Sequence, residues 1–413
     1  MPWTSAGPFR YRTPSTELDL VLATVPAAAS SESDFFSIDS LIAIRDHLLP
    51  GLLAMLFAFA ICAVVVPLMI VLSRRLGVMA LPSERHPHSK PMPLLGGLAM
   101  FVGFGAAILL FLPQVGPGER AGVLGVLVVS GLAAVLLVVD DRWSLPPMVK
   151  FGLQLLIALI AVLGISASFG LGTEFQITFL SLPGVGIVKL GLLAVPVSLF
   201  WMLGMQNTVN LLDGVDGLAA GVVMIVAVTL MFAGAGTHQP DVVQLSGALA
   251  GACGGFLMFN FSPARIFMGD SGAHFLGTAL AVISILGVAK VAVAFALAIP
   301  ILALALPIAD TAWAIVRRGR TKASVAQPDL KHIHHRLLDF GLNARQTCFV
   351  FYSASGLLGA VGLTIFGHGR ILAVVFVAWL ALLSTVAADR LQNSGWRIDT
   401  PYLRRLLAEP SSR

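Results

Sequence analysis

Charge is scarce in this chain. Of its 413 residues only 11% are Asp, Glu, Lys or Arg, while 57% are hydrophobic. A soluble globular domain carries about a quarter charged residues, so a water-surrounded globule is excluded and a polytopic helical membrane protein is implied. The short alternating segments of a transmembrane β-barrel are missing too; the apolar stretches are long and continuous. Cysteine is nearly absent. Cys62, Cys253 and Cys348 stand singly in or beside apolar runs, with no zinc spacing and no disulfide framework. Residues 1–46 lack the basic start and apolar core of a signal peptide. Rich in Ser, Thr, Pro and Ala, they read as a mobile N-terminal tail. No internal repeat is evident, nor an inverted pair of broken helices of transporter type. The net charge of +5 is ordinary for basic cytoplasmic loops and does not point to nucleic acid.

What is present is a series of apolar segments near 48–72, 94–112, 121–139, 148–169, 187–205, 218–236, 242–260, 272–288, 290–316, 347–366 and 371–388. Each approaches the roughly 20 residues that cross the hydrocarbon layer. The expected fold is therefore all-α, with about eleven transmembrane helices. A transmembrane domain spans 47–389, and a C-terminal tail covers 390–413. Numbering the loops alternately puts 73–93, 140–147, 206–217, 261–271, 317–346 and the C-terminal tail on one side. That side carries 19 of the 26 lysines and arginines. By the positive-inside rule it is cytoplasmic, with the N-terminus outside.

Four polar motifs interrupt the apolar chain, and all fall on that side. Asp140-Asp141 closes the third span. Adjacent carboxylates repel unless a cation compensates, so the pair faces a metal, supplies a base, or simply marks the water boundary. Asn207, Asn210 and Asp213 are spaced three apart and would form one stripe on a helix. Asp213-Gly214 and Asp216-Gly217 add turns that bring carboxylates close to backbone donors. Gly269-Asp270-Ser271-Gly272 opens the eighth span, where a helix N-terminus favours an anion such as phosphate; Asp270 could equally be the helix cap. His332-Ile333-His334-His335-Arg336 lies in the longest cytoplasmic loop. It suits phosphate binding, with bidentate contact from the arginine; metal ligation and a plain basic loop are the competing readings. The first cytoplasmic loop, with Arg85, His88 and Lys90 among prolines, could hold a lipid phosphate or act only as a stop-transfer loop. Asp310, deep in a span, is functional or pairs helices.

In order and topology these motifs resemble the polyprenyl-phosphate N-acetylhexosamine-1-phosphate transferases, glycosyltransferase family 4. The resemblance runs from about Pro82 to Gln346. It includes Asp140-Asp141 followed by Pro147 and Lys150, the run Asn260-Phe-Ser-Pro263 to Gly269-Asp270, and Asp310-Thr311 ahead of Arg317-Arg318. The His-x-His-His-Arg form looks like the branch that transfers GlcNAc-1-phosphate; the phospho-MurNAc-pentapeptide translocases carry a triple histidine. Ser144, Leu94 and Ala273 depart from residues common in the family.

The resemblance implies transfer of HexNAc-1-phosphate from a UDP-sugar to undecaprenyl phosphate, with release of UMP and initiation of a lipid-linked envelope polysaccharide. It also implies Mg²⁺ as cofactor, with Mn²⁺ as a substitute, and places the enzyme in the bacterial inner membrane with its site facing the cytoplasm. Relatives are often dimers, so a homodimer is expected. The resemblance puts Asp270 and Asn210 on the metal and Asp140 and Asp141 near the attacking lipid phosphate. Asp213 and Asp216 would order metal and nucleotide. Asn207, Lys150, Arg85, His88, His332, His334, His335 and Arg336 would bind substrate. Two other classes compete. An ion-coupled transporter would keep its charges near the bilayer midplane, and a membrane diphosphatase would surround its histidine with arginines from separate loops.

Overall fold

The computed structural model describes residues 38–80, 91–165, 175–182, 186–290 and 343–364. The described residues form ten α-helices and two small hairpins: α1 (Ile38–Leu76), α2 (Gly96–Phe111), α3 (Arg120–Leu136), α4 (Val138–Trp143), α5 (Pro147–Leu159), α6 (Ala194–Leu212), α7 (Leu218–Gly236), α8 (Pro240–Asn260), α9 (Gly269–Lys290) and α10 (Ala344–Thr364). The hairpins are antiparallel: β1 (Met79–Ala80) with β2 (Met92–Pro93), and β3 (Phe179–Leu182) with β4 (Gly186–Lys189). Nine segments among the described residues are long and apolar enough to cross a membrane. A helix is the only open-ended element that satisfies its own backbone in lipid, so continuous apolar runs become helices.

These nine coincide with nine of the eleven expected spans. The other two, 371–388 and 290–316 apart from Lys290, lie outside the described residues. Most boundaries shift by a few residues, and two differences matter more. Helix α1 begins at Ile38, inside the stretch read as tail. The fifth span runs Gly191–Leu212, not 187–205. Residues 186–189 pair in the β3–β4 hairpin, and the helix instead takes in Asn207 and Asn210. The connection to α7 shrinks to 213–217, which holds both Asp213 and Asp216 close to helix ends.

Packing is tightest between α1 and α8. Gly247, Gly251 and Gly255 lie one turn apart on α8, and a Cβ on each would collide with a backbone carbonyl of α1, those of Gly51, Met55 and Phe59. Lipid offers no hydrophobic drive for helices to associate, so close backbone approach through small residues does that work. Helix α9 is almost wholly enclosed. It packs against α6, α3 and α2, and Phe275 meets Phe101 and Phe104 edge-on at 5.8 and 5.6 Å. Edge-to-face pairs of this kind are worth about 0.5–1.5 kcal/mol beyond their buried area. The enclosed helix is the one that carries Asp270 at its first turn.

Candidate active site

The short helix α4 and the ends of α5, α6 and α9 meet at one face of the bundle. Lys150, in the first turn of α5, links them. Its Nζ lies 3.0 Å from Asp140 Oδ2 and also donates to Asp270 Oδ1. Asp140 is buried and accepts the Leu145 N–H through its other oxygen at 2.7 Å. Two carboxylates from chain segments 130 residues apart would repel each other here; the shared ammonium offsets that repulsion in part.

Asp141 has a different job. Its Oδ1 accepts the Asp270 N–H at 2.6 Å and its Oδ2 the Ser271 N–H at 3.2 Å. Both are unpaired donors of the first turn of α9, and a carboxylate there also meets the positive end of the helix dipole. The anion at this helix N-terminus is therefore the protein's own Asp141, not a phosphate, and Asp270 is not the cap. Gly269 makes the approach possible. Its φ is +70°, and a Cβ would strike the Asp141 carboxylate. Ser144, also in the left-handed region at φ 49°, ends α4 and turns the chain into α5.

The short 213–217 connection is pinned from three sides. Asn260, at the end of α8, accepts the Gly217 N–H at 3.0 Å and donates to the Ile266 carbonyl at 2.9 Å. Asp216 Oδ2 accepts the Ala264 N–H at 3.0 Å. From α10, the Tyr352 hydroxyl donates to the Gly217 carbonyl at 2.6 Å, and Arg345 Nε to the Ser262 carbonyl at 2.8 Å. The 261–268 segment is held in turn by the glycine pair that opens α2: Gly96 and Gly97 donate to the Phe267 and Met268 carbonyls. A Cβ on Gly97 would run into the backbone of Gly272.

Asp213 closes α6 with its carboxyl held well above the usual carboxylate range. Burial is the main cause, then the charges of Asp270, Asp141 and Asp216, with Lys150 pulling the other way. Carboxylates thus outnumber the ammonium that neutralises them. Among the described residues no three His, Cys, Asp or Glu side chains form a ready-made metal cage. Mg²⁺ in phosphoryl-transfer sites needs none, because one or two carboxylates plus substrate phosphates hold it. Asp270 and Asp213 supply that number of hard oxygen donors, and Asn210 adds an amide oxygen on the last turn of α6. The donor set fits Mg²⁺.

The structure therefore brings together Asp140, Asp141, Lys150, Asp213 and Asp270 from the sequence-derived set; Asn210 lies on the last turn of α6, its backbone carbonyl accepting the Asp213 N–H at 3.3 Å. Asp216 is engaged with the 261–268 segment, and Asn207 bonds into the bundle through Gln154 at 3.1 Å. Arg85, His88, His332, His334, His335, Arg336 and Asp310 lie outside the described residues. Sequence reasoning passed over Gln154, His274, Tyr352 and the structural part played by Asn260. A signal existed for two of them. Gln154 and His274 are polar residues in apolar spans, each four residues beyond a site residue, Lys150 and Asp270, and therefore on the same helix face.

Comparison with known proteins fits this geometry. The sequence profile of "Glycosyl transferase family 4" matches residues 123–288, the stretch that holds Asp140 through Asp270. A probable undecaprenyl-phosphate N-acetylglucosaminyl 1-phosphate transferase of Bacillus subtilis is 32% identical over 348 residues, 83% of this chain and 93% of its own length. A decaprenyl-phosphate N-acetylglucosaminephosphotransferase of Mycolicibacterium smegmatis is 35% identical over 334 residues, 75% of this chain and 80% of its own. A phospho-N-acetylmuramoyl-pentapeptide-transferase of a Synechococcus species is 32% identical over 281 residues, 68% of this chain and 80% of its own.

Proposed function

The chain belongs to glycosyl transferase family 4, and from that premise we propose that it transfers GlcNAc-1-phosphate from UDP-GlcNAc to undecaprenyl phosphate. A lipid phosphate oxygen attacks the sugar-side phosphorus, the bond from that phosphorus to the oxygen of the UMP portion breaks, and UMP departs. The observation that carries the reading is Lys150 held between Asp140 and Asp270 at the meeting of helix ends. It sets a cation and carboxylates where two anionic substrates can meet at the membrane surface. The GlcNAc reading is preferred to the MurNAc-pentapeptide one because the GlcNAc relatives match more of the chain, 83% and 75% against 68%. A transporter is disfavoured: the acidic cluster stands at helix ends, not at mid-span.

Bound Mg²⁺ would neutralise the pyrophosphate and stabilise the leaving UMP, and Asp270, Asp213 and Asn210 are the residues that would hold it. The protein's own part is positioning. Asp140 and Lys150 face the incoming lipid phosphate. Of the aspartate pair, Asp140 is the one suited to that place, since both oxygens of Asp141 are spent on capping α9. A phosphate monoester has its second pKa near 6, so the lipid phosphate is largely dianionic at neutral pH. Holding it in line then matters more than removing a proton. The site faces the cytoplasm of the bacterial inner membrane, His332, His334, His335 and Arg336 bind the donor's phosphates, and Arg85 and His88 bind the lipid phosphate. Assembly is as a homodimer.

Membranes containing the protein, given radiolabelled UDP-GlcNAc, undecaprenyl phosphate and Mg²⁺, are expected to yield a lipid-extractable label and an equal amount of UMP. Folded protein that labels no lipid from any UDP-HexNAc overturns the reading. Sidedness has its own check. The three native cysteines are buried, so a cysteine replacing the exposed Ser144 reports alone. It is expected to react with a membrane-impermeant maleimide only in inside-out vesicles; reaction in intact cells would place the site outside.

A further inference from the structure

Beneath the carboxylate cluster, inside the bundle, one chain of hydrogen bonds crosses three helices. Asn207 Nδ2 on α6 donates to the Leu203 carbonyl at 2.7 Å and to Gln154 Oε1 on α5 at 3.1 Å. Gln154 Nε2 lies 2.7 Å from His274 Nε2 on α9, and His274 Nδ1 lies 2.7 Å from the Asp270 carbonyl. Gln154 and His274 are buried, with His274 fully inaccessible. A polar group in such a place costs free energy unless it is paired.

The sense of every link is fixed by the two ends. A backbone carbonyl only accepts. The Leu203 carbonyl therefore identifies the nitrogen of the Asn207 amide, and that nitrogen requires the oxygen of Gln154 opposite it. The Gln154 nitrogen is then left to face His274 Nε2, which must offer its lone pair. His274 is accordingly a neutral imidazole with its proton on Nδ1, given to the Asp270 carbonyl. An imidazolium would set N–H against N–H and break the chain at Gln154. Asn207 Oδ1 is the acceptor the chain leaves over.

We propose that His274, Gln154 and Asn207 are positioning residues that act as one directed unit, locking α5, α6 and α9 so that Lys150, Asp270 and the Asn207 amide keep one mutual geometry. Gln154 stands one turn below Lys150, His274 one turn below Asp270, and Asn207 three residues before Asn210. A loss in the chain therefore moves the groups above it without removing any. The catalytic consequence rests on the transferase reading; the tautomer does not.

Two measurements test this on the full chain in detergent or nanodiscs. In ¹⁵N-histidine-labelled protein, with the His274 signal identified by its disappearance in His274→Gln, the ring is expected to be the neutral Nδ1–H tautomer at pH 7. Its Nε2 resonance is expected to shift in Gln154→Leu. An Nε2–H tautomer or an imidazolium overturns the proposal whether or not the enzyme turns over. In the transfer assay, His274→Leu is expected to lower kcat at least tenfold and to raise the Mg²⁺ concentration for half-maximal rate several-fold. His274→Gln, which can place a polar atom where Nε2 lies, is expected to recover much of the loss; His274→Asn, which reaches only the Nδ1 position, is not. The double variant His274→Leu/Gln154→Leu is expected to be no worse than either single one. Equal rates for the Gln and Asn variants, or additive losses in the double variant, overturn the proposal. A wild-type protein inactive on every UDP-HexNAc condemns the transferase reading instead and leaves the tautomer to decide this one.

Discussion

Asp270→Asn is expected to abolish lipid labelling from UDP-GlcNAc, a loss of about 10²–10³-fold or more, the scale seen when one preorganised electrostatic group is removed from a transition state. The substitution is nearly isosteric. It keeps the backbone N–H that Asp141 caps and the carbonyl that His274 holds. Asp270→Asn removes one of the two carboxylates proposed for Mg²⁺ and one of the two negative charges paired with Lys150, while Asp140 at 3.0 Å remains. Fold should therefore survive, with a sharp peak in size-exclusion chromatography and a melting temperature close to wild type. Folded protein with near-normal turnover would show that Asp270 does not carry the metal or the charge assigned to it.

Lys150→Met is expected to affect stability and turnover together. Its side chain is 20% exposed, against 4% for Asp140 and 31% for Asp270. Removing one partner from a buried ion pair costs about 3–5 kcal/mol, because the charge left behind is unpaired. The exposure of Asp270 brings the expected loss to the lower end of that range. The melting temperature should fall measurably, and the transfer rate by about 10²-fold. Asp140→Asn in the same chain removes one of the stranded charges and is expected to restore much of the melting temperature without restoring activity. Lys150→Arg keeps the charge but replaces a compact ammonium with a planar fork, so stability should return ahead of turnover. A double variant no more stable than Lys150→Met would separate Lys150 from Asp140 energetically and defeat the bridging role.

The membrane architecture is legible in the sequence because it depends on local quantities. Composition and the length of apolar runs locate each described span, including α9, whose polar start at Gly269 is as clear as its apolar body. The β3–β4 hairpin is not legible in the same way. Residues 186–189 are apolar enough to pass for the start of a span, and only pairing with 179–182 assigns them to a strand. The polar stripe of Asn207 and Asn210 is visible from spacing; that it lies within the helix follows once the hairpin pushes the span toward its C-terminus.

The site divides along the same line. Scarcity of charge, the positions of Asp140, Asp141, Asp213 and Asp270 at the ends of apolar runs, and their order along the chain are properties of the sequence alone. They are enough to predict a membrane-surface site and a family. What each carboxylate does was decided only by tertiary structure. Asp141 is bound to backbone groups 129 and 130 residues away, Lys150 to a carboxylate 120 residues away, and Gln154 to a histidine at that same separation of 120. Two adjacent aspartates are chemically identical until the fold gives one of them two backbone N–H groups and the other a lysine. Local sequence fixes where polar groups can be tolerated in a membrane; the contacts that divide labour among them come from helices far apart in the chain.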